Sequence, residues 1–321
     1  MLPMLLRRLA LLPPLLLAIY TITFAAAWLA PGDPLQNPEG RRPPPEVAEA
    51  MRRQYSLDDP LAFYVQYLGR ASGVSWALGR APEPFDLGPS LRQPGWTVNE
   101  ILAQALPVSV TLGAAAMLLA LAIGLAAGTL SGLHPRGPVD AAAQVFAMIG
   151  ISLPGFVTGA ALLIVFAAWL RWFPVGGWGS LRTLALPAVA LALPFAATIA
   201  RMTRVGMIEQ MTSDHARTAI AKGLTRGQVA RRHALKNACL PVLSWLGPAT
   251  AAAFTGSFVV EKVFAVPGLG RHFVDAVLAK DLTVVMGVTL AYGTLVVLLN
   301  LAVDLLYAWI DPRIRLRGGA R

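Results

Sequence analysis

Six apolar runs, each long enough to cross a bilayer, leave this chain few folds to choose from. A membrane-crossing helix needs about 20 largely apolar residues, because the hydrocarbon core is ~30 Å thick and each helical residue rises ~1.5 Å. The runs cover residues 9–30, 106–130, 139–170, 184–202, 240–260 and 284–310. Lipid offers the backbone no hydrogen-bond partner, so each run must satisfy its own N–H and C=O groups as a helix. The expected fold class is therefore all-α: a polytopic membrane helical bundle with about six transmembrane helices. With 56% hydrophobic and 14% charged residues in 321, the chain is too apolar for a soluble domain of this size.

The first run follows Arg7 and Arg8, exceeds the ~7–15 residues of a signal-peptide core and ends without a small-x-small site. It reads as an uncleaved first span. In the third run, Pro154-Gly155 predicts a break. Pro187, Pro194 and Pro248 predict kinks in the fourth and fifth, which suit both an ordinary bundle and one that changes shape.

Net charge is +10, which in a soluble protein would raise nucleic acid as a partner. Here the bases sort by loop. One side receives Arg7, Arg8, His134, Arg136, Arg201, Arg204, Arg217, Lys222, Arg226, Arg231, Arg232, Lys236, Arg313, Arg315, Arg317 and Arg321, against Asp140, Glu209, Asp214 and Asp311. The positive-inside rule places that side, with both termini, in the cytoplasm. No nucleic-acid partner is expected; the surrounding partner is membrane lipid. The expected organisation is 1–30 as the cytoplasmic N-terminus and first helix, 31–97 as an outer, periplasmic segment, and 98–321 as a five-helix core containing a cytoplasmic loop at 203–240.

The outer segment is rich in Pro and Gly, with short helices expected near 46–54 and 60–68. It is too small and too poor in aliphatic residues to fold alone, and reads as a cap packed on the bundle, as a docking surface for a soluble delivery protein, or as both. After the fifth run Glu261 leaves the membrane, Pro267-Gly268-Leu269-Gly270 predicts a tight turn, and 273–278 a short amphipathic helix. In the last run Asn300 and Asp304 are four apart and share a helix face. An intramembrane acid invites a functional reading. With no second acid at that depth, pairing of Asp304 with a base near the cytoplasmic boundary is favoured over a proton relay.

The central loop carries the densest signals. Ser213 is placed to N-cap a helix with Asp214 in its first turn. Ala216, Thr218, Ala219, Ile220 and Ala221 follow; Lys222 suits the C-terminus and Gly223 the left-handed stop. Thr225 and Gln228 fit a capping box for a second helix running through Arg231, Arg232 and Lys236 to just before Pro241. An ordinary basic cytoplasmic loop is the plain alternative. Small side chains on the first helix would leave it open to a partner's groove.

Bond-making chemistry is not legible. The chain has no GxxxxGK[ST], no HExxH and no GxSxG; His134, His215, His233 and His272 are scattered, and Cys239 is the lone cysteine at a membrane boundary. Neither a catalytic residue nor a metal site is expected, and active transport would need energy from elsewhere.

The loop from His215 to Ala249 resembles the one that ATP-binding-cassette importer permeases present to their ATPases, with the spacing from Gly223 to Pro241 typical of the peptide and nickel class. Further resemblance lies in Ala30-Pro31-Gly32-Asp33-Pro34, in Tyr55-Ser56-Leu57-Asp58-Asp59-Pro60, in Asp86-Leu87-Gly88-Pro89-Ser90-Leu91, and in residues 98–116, 264–274 and 300–315. The chain is similar over nearly its whole length to the B-type permease subunit of oligopeptide importers. That resemblance implies a homologous second permease, two cytoplasmic ATPases that bind ATP and Mg where this chain binds no cofactor, and an extracytoplasmic solute-binding protein, all at a bacterial inner membrane. It implies a coupling helix at 214–223, comprising Asp214, Ala216, Arg217, Thr218, Ala219, Lys222 and Gly223, with Ala216, Thr218 and Ala219 facing the ATPase. Arg217-Thr218-Ala219 stands where other importers of the superfamily carry glutamate-alanine-alanine. Pro154, Gly155, Pro267, Gly268, Gly270, Asn300 and Asp304 are expected structural or gating positions. The same class transports dipeptides, nickel complexes and other small solutes. From other classes, a self-sufficient secondary transporter or channel is disfavoured by the lack of inverted repeats and several intramembrane polar sites, and an intramembrane enzyme by the lack of a nucleophile and base.

Overall fold

The computed structural model describes residues 2–35, 44–81, 83–93 and 95–310, and for 2–9, 304 and 306–310 the backbone course alone. Among the described residues every regular element is a helix: α1 Leu2–Leu29, α2 Pro45–Gln54, α3 Pro60–Ala71, α4 Val74–Ala77, α5 Val98–Leu133, α6 Pro138–Ser152, α7 Gly155–Leu162 with a π-helical continuation Leu163–Trp169, α8 Leu181–Thr212, α9 Asp214–Ala221, α10 Arg226–Val229, a π turn Ala230–Ala234, α11 Leu235–Ala238, α12 Leu240–Thr255, α13 Phe258–Val263, α14 Leu269–Ala279 and α15 Leu282–Ile310.

Among the described residues five stretches are long and apolar enough to cross a membrane: Ala10–Leu29, Val98–Leu133, Leu181–Thr212, Leu240–Val263 and Leu282–Val303. The sixth expected span is the pair α6–α7, and its break is sharper than a kink. The two helices meet at 110° across Leu153-Pro154. Leu153 is extended, as the residue before a proline prefers to be, and Pro154 becomes the N-cap of α7. Pro187 and Pro194 stay inside α8, and Pro248 inside α12.

The chain divides into two compact units. One comprises residues 2–109 and 267–297. In it Tyr20, Leu57, Phe63, Tyr67, Leu91, Leu282 and Met286 form a buried cluster, so the expected short helices near 46–54 and 60–68 exist and pack against spanning helices. The buried carboxylate of Asp281 fastens the segment: it accepts from the Ser90 hydroxyl at 2.5 Å, from the Leu91 and Arg92 amides and from the Thr283 hydroxyl. The expected turn at 267–270 is displaced. The bend spans 264–268, Gly268 is the extended N-cap of α14, and Leu269 and Gly270 already lie in its first turn. The amphipathic helix expected over 273–278 is thus longer, because a helix can begin wherever an extended residue precedes it.

The other unit comprises residues 110–266 and 298–310. Its centre is α8, and glycines set the distances. Gly124, Gly128 and Gly132 form one stripe of α5. A Cβ built on any of them would come under 3.0 Å from Ile199, Thr203 or Met207 of α8. Small residues every fourth position let two backbones touch where lipid provides no hydrophobic drive for association. Gly150 of α6 meets Ala197 in the same way, and Gly206 of α8 meets Ala238 of α11. Asn300 lies against α12, its amide oxygen 3.2 Å from where a Gly247 Cβ would be. The side chain of Asp304 and the tail bases Arg313, Arg315, Arg317 and Arg321 lie outside the described residues.

Candidate functional site: the loop between α8 and α12

The chain leaves α8 at Thr212 and turns at Ser213 into α9. Ser213 holds the N-cap position in extended backbone, but its hydroxyl does not cap. It donates to the Gln210 carbonyl at 2.6 Å and meets the His215 ring, which corrects the expected cap. A hydroxyl offered a free carbonyl at the end of the preceding helix takes that bond first. Asp214 remains in the first turn, where the helix dipole favours it. Lys222 is the C-cap, and Gly223 takes φ +91 with nothing within 4 Å of a would-be Cβ. The next helix starts as expected: the Thr225 hydroxyl accepts from the Gln228 amide, and the Gln228 side chain accepts from the Thr225 amide at 2.9 Å.

Ala216 and Ala219 do not face outward. Both are buried, stacked three apart against Val229, Met211 and Leu224. This corrects the expectation that they present a surface to a partner. Their small size instead lets α9 lie close on its own loop. Ala230, Ala234 and Ala238 then pack with Met207, fixing the second half of the loop along α8, and the Asn237 amide donates to Gln210 at 3.3 Å. The face of α9 left open consists of Asp214, His215, Arg217, Thr218, Ile220, Ala221 and Lys222. Arg217 stands 3.8 Å from Asp214, an exposed pair of little energetic weight. Ile220 is an exposed apolar knob among charges. Beyond it, Arg226, Arg231, Arg232 and Lys236 are exposed. The surface combines one apolar contact with surrounding cations and suits a protein groove with an acidic rim. Burial raises the Cys239 thiol above its ordinary range, so Cys239 is not poised as a nucleophile.

One constellation escaped the sequence reading. Asp140, 1% exposed at the start of α6, accepts from Arg204 of α8 through Nε at 2.6 Å and Nη2 at 2.8 Å. The Ser131 hydroxyl of α5 and the Arg136 amide also donate to the carboxylate, at 2.6 and 2.8 Å. Three helices are therefore fastened at one point, about two turns before α8 gives way to α9. The only hint in the sequence is an acid in the first turn after Gly137-Pro138. Beside the pair lies an open cleft of about 540 Å³, with Gln144, Met148, Ala200 and Arg201 in its lining.

Two helix breaks and a proline inside α8 also converge. Gly155 at the start of α7, Pro194 of α8 and Gly256 between α12 and α13 line one cavity of about 270 Å³ with Phe156, Phe195 and Val259. The sequence-predicted site residues thus fall into separate places. Pro154 and Gly155 sit at the α6–α7 break, Asn300 against α12, Gly268 and Gly270 at the start of α14, and the 214–223 set forms one loop helix.

Comparison with known proteins agrees with this architecture. Residues 120–316 match the family model described as binding-protein-dependent transport system inner membrane component. The oligopeptide transport system permease protein OppB of Salmonella typhimurium is 43% identical over 98% of this chain and 100% of its own length. The dipeptide transport system permease protein DppB of Bacillus subtilis is 39% identical over 94% of each chain. Among solved structures, the methionine ABC transporter MetNI in an inward-facing conformation superposes with a TM-score of 0.51 at 17% identity, over 66% of this chain and 96% of that one, a likeness of fold. A family match over more than half the chain and near-complete alignment to two permeases leave one assignment: this chain belongs to the binding-protein-dependent transport system inner membrane components.

Proposed function

We propose that this multi-pass membrane component forms half of the translocation pathway of an ATP-driven oligopeptide importer. The observation that carries the reading is the 43% identity, over 98% of the chain, to a permease whose name states oligopeptide transport. The other half of the pathway would be a homologous permease. Two cytoplasmic ATPases would bind ATP and Mg and grip the open face of α9, and an extracytoplasmic solute-binding protein would deliver the peptide. Both termini and the α8–α12 loop would lie in the cytoplasm of a bacterial cell, following the distribution of basic residues. The chain itself would perform no bond chemistry.

The mechanical argument is local. α9 is held rigidly on the end of α8 through Ala216, Ala219 and Val229. Force applied at Arg217, Thr218 and Ile220 would reach α8 directly, and through Arg204–Asp140 would reach α6 and α5. Breaks at Pro154-Gly155 and Gly256, with the missing backbone donor at Pro194 inside α8, would give the surrounding helices places to bend, which a switch between inward- and outward-open states requires.

A second substrate reading is favoured by the 39% identity to a dipeptide permease. Uptake of labelled di-, tri- and pentapeptides, in cells with the gene deleted and restored, separates the two. Loss of tri- and pentapeptide uptake on deletion is the expected result. Loss confined to dipeptides would select the second reading, and unchanged uptake of every peptide would remove both.

A further inference from the structure

We propose that α3, in the segment between the first two spans, lies within the bilayer rather than above it, with the face opposite Phe63 and Tyr67 against phospholipid acyl chains. The depth is read from two spanning helices independently. The apolar part of α1, Ala10–Leu29, has 20 residues and matches the ~30 Å hydrocarbon core. α3 packs along its second half. The Tyr20 hydroxyl donates to the Tyr64 carbonyl at 2.7 Å, and the Thr21 and Tyr64 hydroxyls lie 2.8 Å apart. The Phe24 ring contacts Phe63 and Tyr64, and Trp28 contacts Phe63. Tyr20 precedes Leu29 by nine residues, a depth of ~13 Å at 1.5 Å each.

The second gauge is α15, whose spanning part begins at Leu282. The Tyr67 hydroxyl donates to the Thr283 carbonyl at 3.0 Å and lies 3.3 Å from where a Gly287 Cβ would stand. Gly287 is five residues into that span, or ~8 Å. On both gauges the contacts of α3 run from the end of the apolar zone, at Trp28 and Thr283, down to Tyr20 and Gly287, so its inner face extends below that end.

The composition of α3 fits that depth. PLAFYVQYLGRA carries a single charge, Arg70, in its last turn. Phe63 and Tyr67 are buried, while Leu61 and Val65 on the opposite face are 74% and 64% exposed. Neutral Gln66 is also exposed, but Leu61 and Val65 leave the open face uncharged and largely apolar, and such a face needs an apolar environment. Protein covers the other face; at this depth the acyl chains supply that environment. The hydroxyls of Tyr20, Thr21, Tyr64 and Tyr67 are all paired, as a water-free setting demands. Exposed Trp76 and Leu78 follow, with Arg80 beside them, a composition that suits the lipid–water boundary. α2 contrasts with this: its exposed face carries Glu49 and Arg53, 3.6 Å apart.

The test uses nitroxide labels on single cysteines at Leu61, Val65 and Glu49 in a Cys239→Ala background. The complete transporter is reconstituted in vesicles of phosphatidylethanolamine and phosphatidylglycerol. Collision with lipid-soluble oxygen should dominate at 61 and 65, and collision with a water-soluble nickel chelate at 49. Nickel-dominated relaxation at 61 and 65 would place α3 in water, and shielding from both relaxants would place it under protein; either overturns the proposal. The unmodified chain provides a second reading. Phosphatidylethanolamine with a diazirine in its acyl chain should photolabel the exposed face of α3, and absence of adducts there, with adducts present on α1, contradicts the embedding.

Discussion

Asp140 and Arg204 show how much a single pair can decide in a membrane protein. The carboxylate, on α6, is buried and accepts from Ser131 of α5, from Arg204 of α8 and from the turn at Arg136, so it is satisfied only while α5, α6 and α8 stay together. Removing one member leaves the other's charge stranded, which costs on the order of 3 kcal/mol for a well-formed buried pair. Asp140→Asn should therefore lower the unfolding temperature of the purified protein. Arg204→Lys, which keeps the charge but loses the two-pronged geometry, should lower it less. Equal stability of Asp140→Asn and the parent would show that the pair is not a joint. Gly223 is a simpler case: the space around it is open and only its φ of +91 restricts the residue. Gly223→Ala should cost about 1 kcal/mol of loop stability, and Gly223→Asn less, read as protease sensitivity between α9 and α10. The pair could not be read from the sequence, because its members lie 64 residues apart and nothing local links them. The glycine stop could, because a left-handed residue after a helix leaves a local signature.

At the scale of elements, most of what was legible followed from short-range rules. Apolar length gave the spans, Pro154-Gly155 the break, and Thr225–Gln228 the start of the second loop helix. What failed was facing. A run of small residues says that something comes close, not what. Ala216 and Ala219 turned out to meet their own loop. The stripe Gly124-Gly128-Gly132, which escaped the sequence reading, is a four-residue repeat of the kind that marks a close helix contact, but the repeat alone does not name α8 as the partner. Two pairs of substitutions test the packing. Ala219→Leu should overpack the contact with Val229 and loosen α9 at a cost of about 1–3 kcal/mol, whereas Thr218→Leu on the open face should leave the fold intact. Gly128→Val should prevent the approach of α5 to α8 and reduce the amount of assembled protein in the membrane far more than a valine at exposed Leu130. Hydrogen exchange across α9 and the yield of folded protein from membranes check the two. Equal effects at 218 and 219, or at 128 and 130, would contradict the assigned faces.

At the scale of the whole molecule, the described residues include one span broken at Pro154, and the loop after α8 presents one short helix with a mixed apolar and cationic face. Nothing in the sequence provides a nucleotide loop, so the account requires that vesicles holding this chain and its partner permease, without ATPases, show no uphill peptide uptake. Uphill uptake there would favour a self-sufficient transporter. The most direct measurement is photo-crosslinking from α9 in intact membranes, with the reactive side chain placed at exposed Thr218 or at buried Ala216. The account predicts an adduct between position 218 and an ATPase subunit, altered when ATP is bound, and none from position 216. Adducts from 218 with lipid alone, or with no ATPase in any nucleotide state, would contradict it.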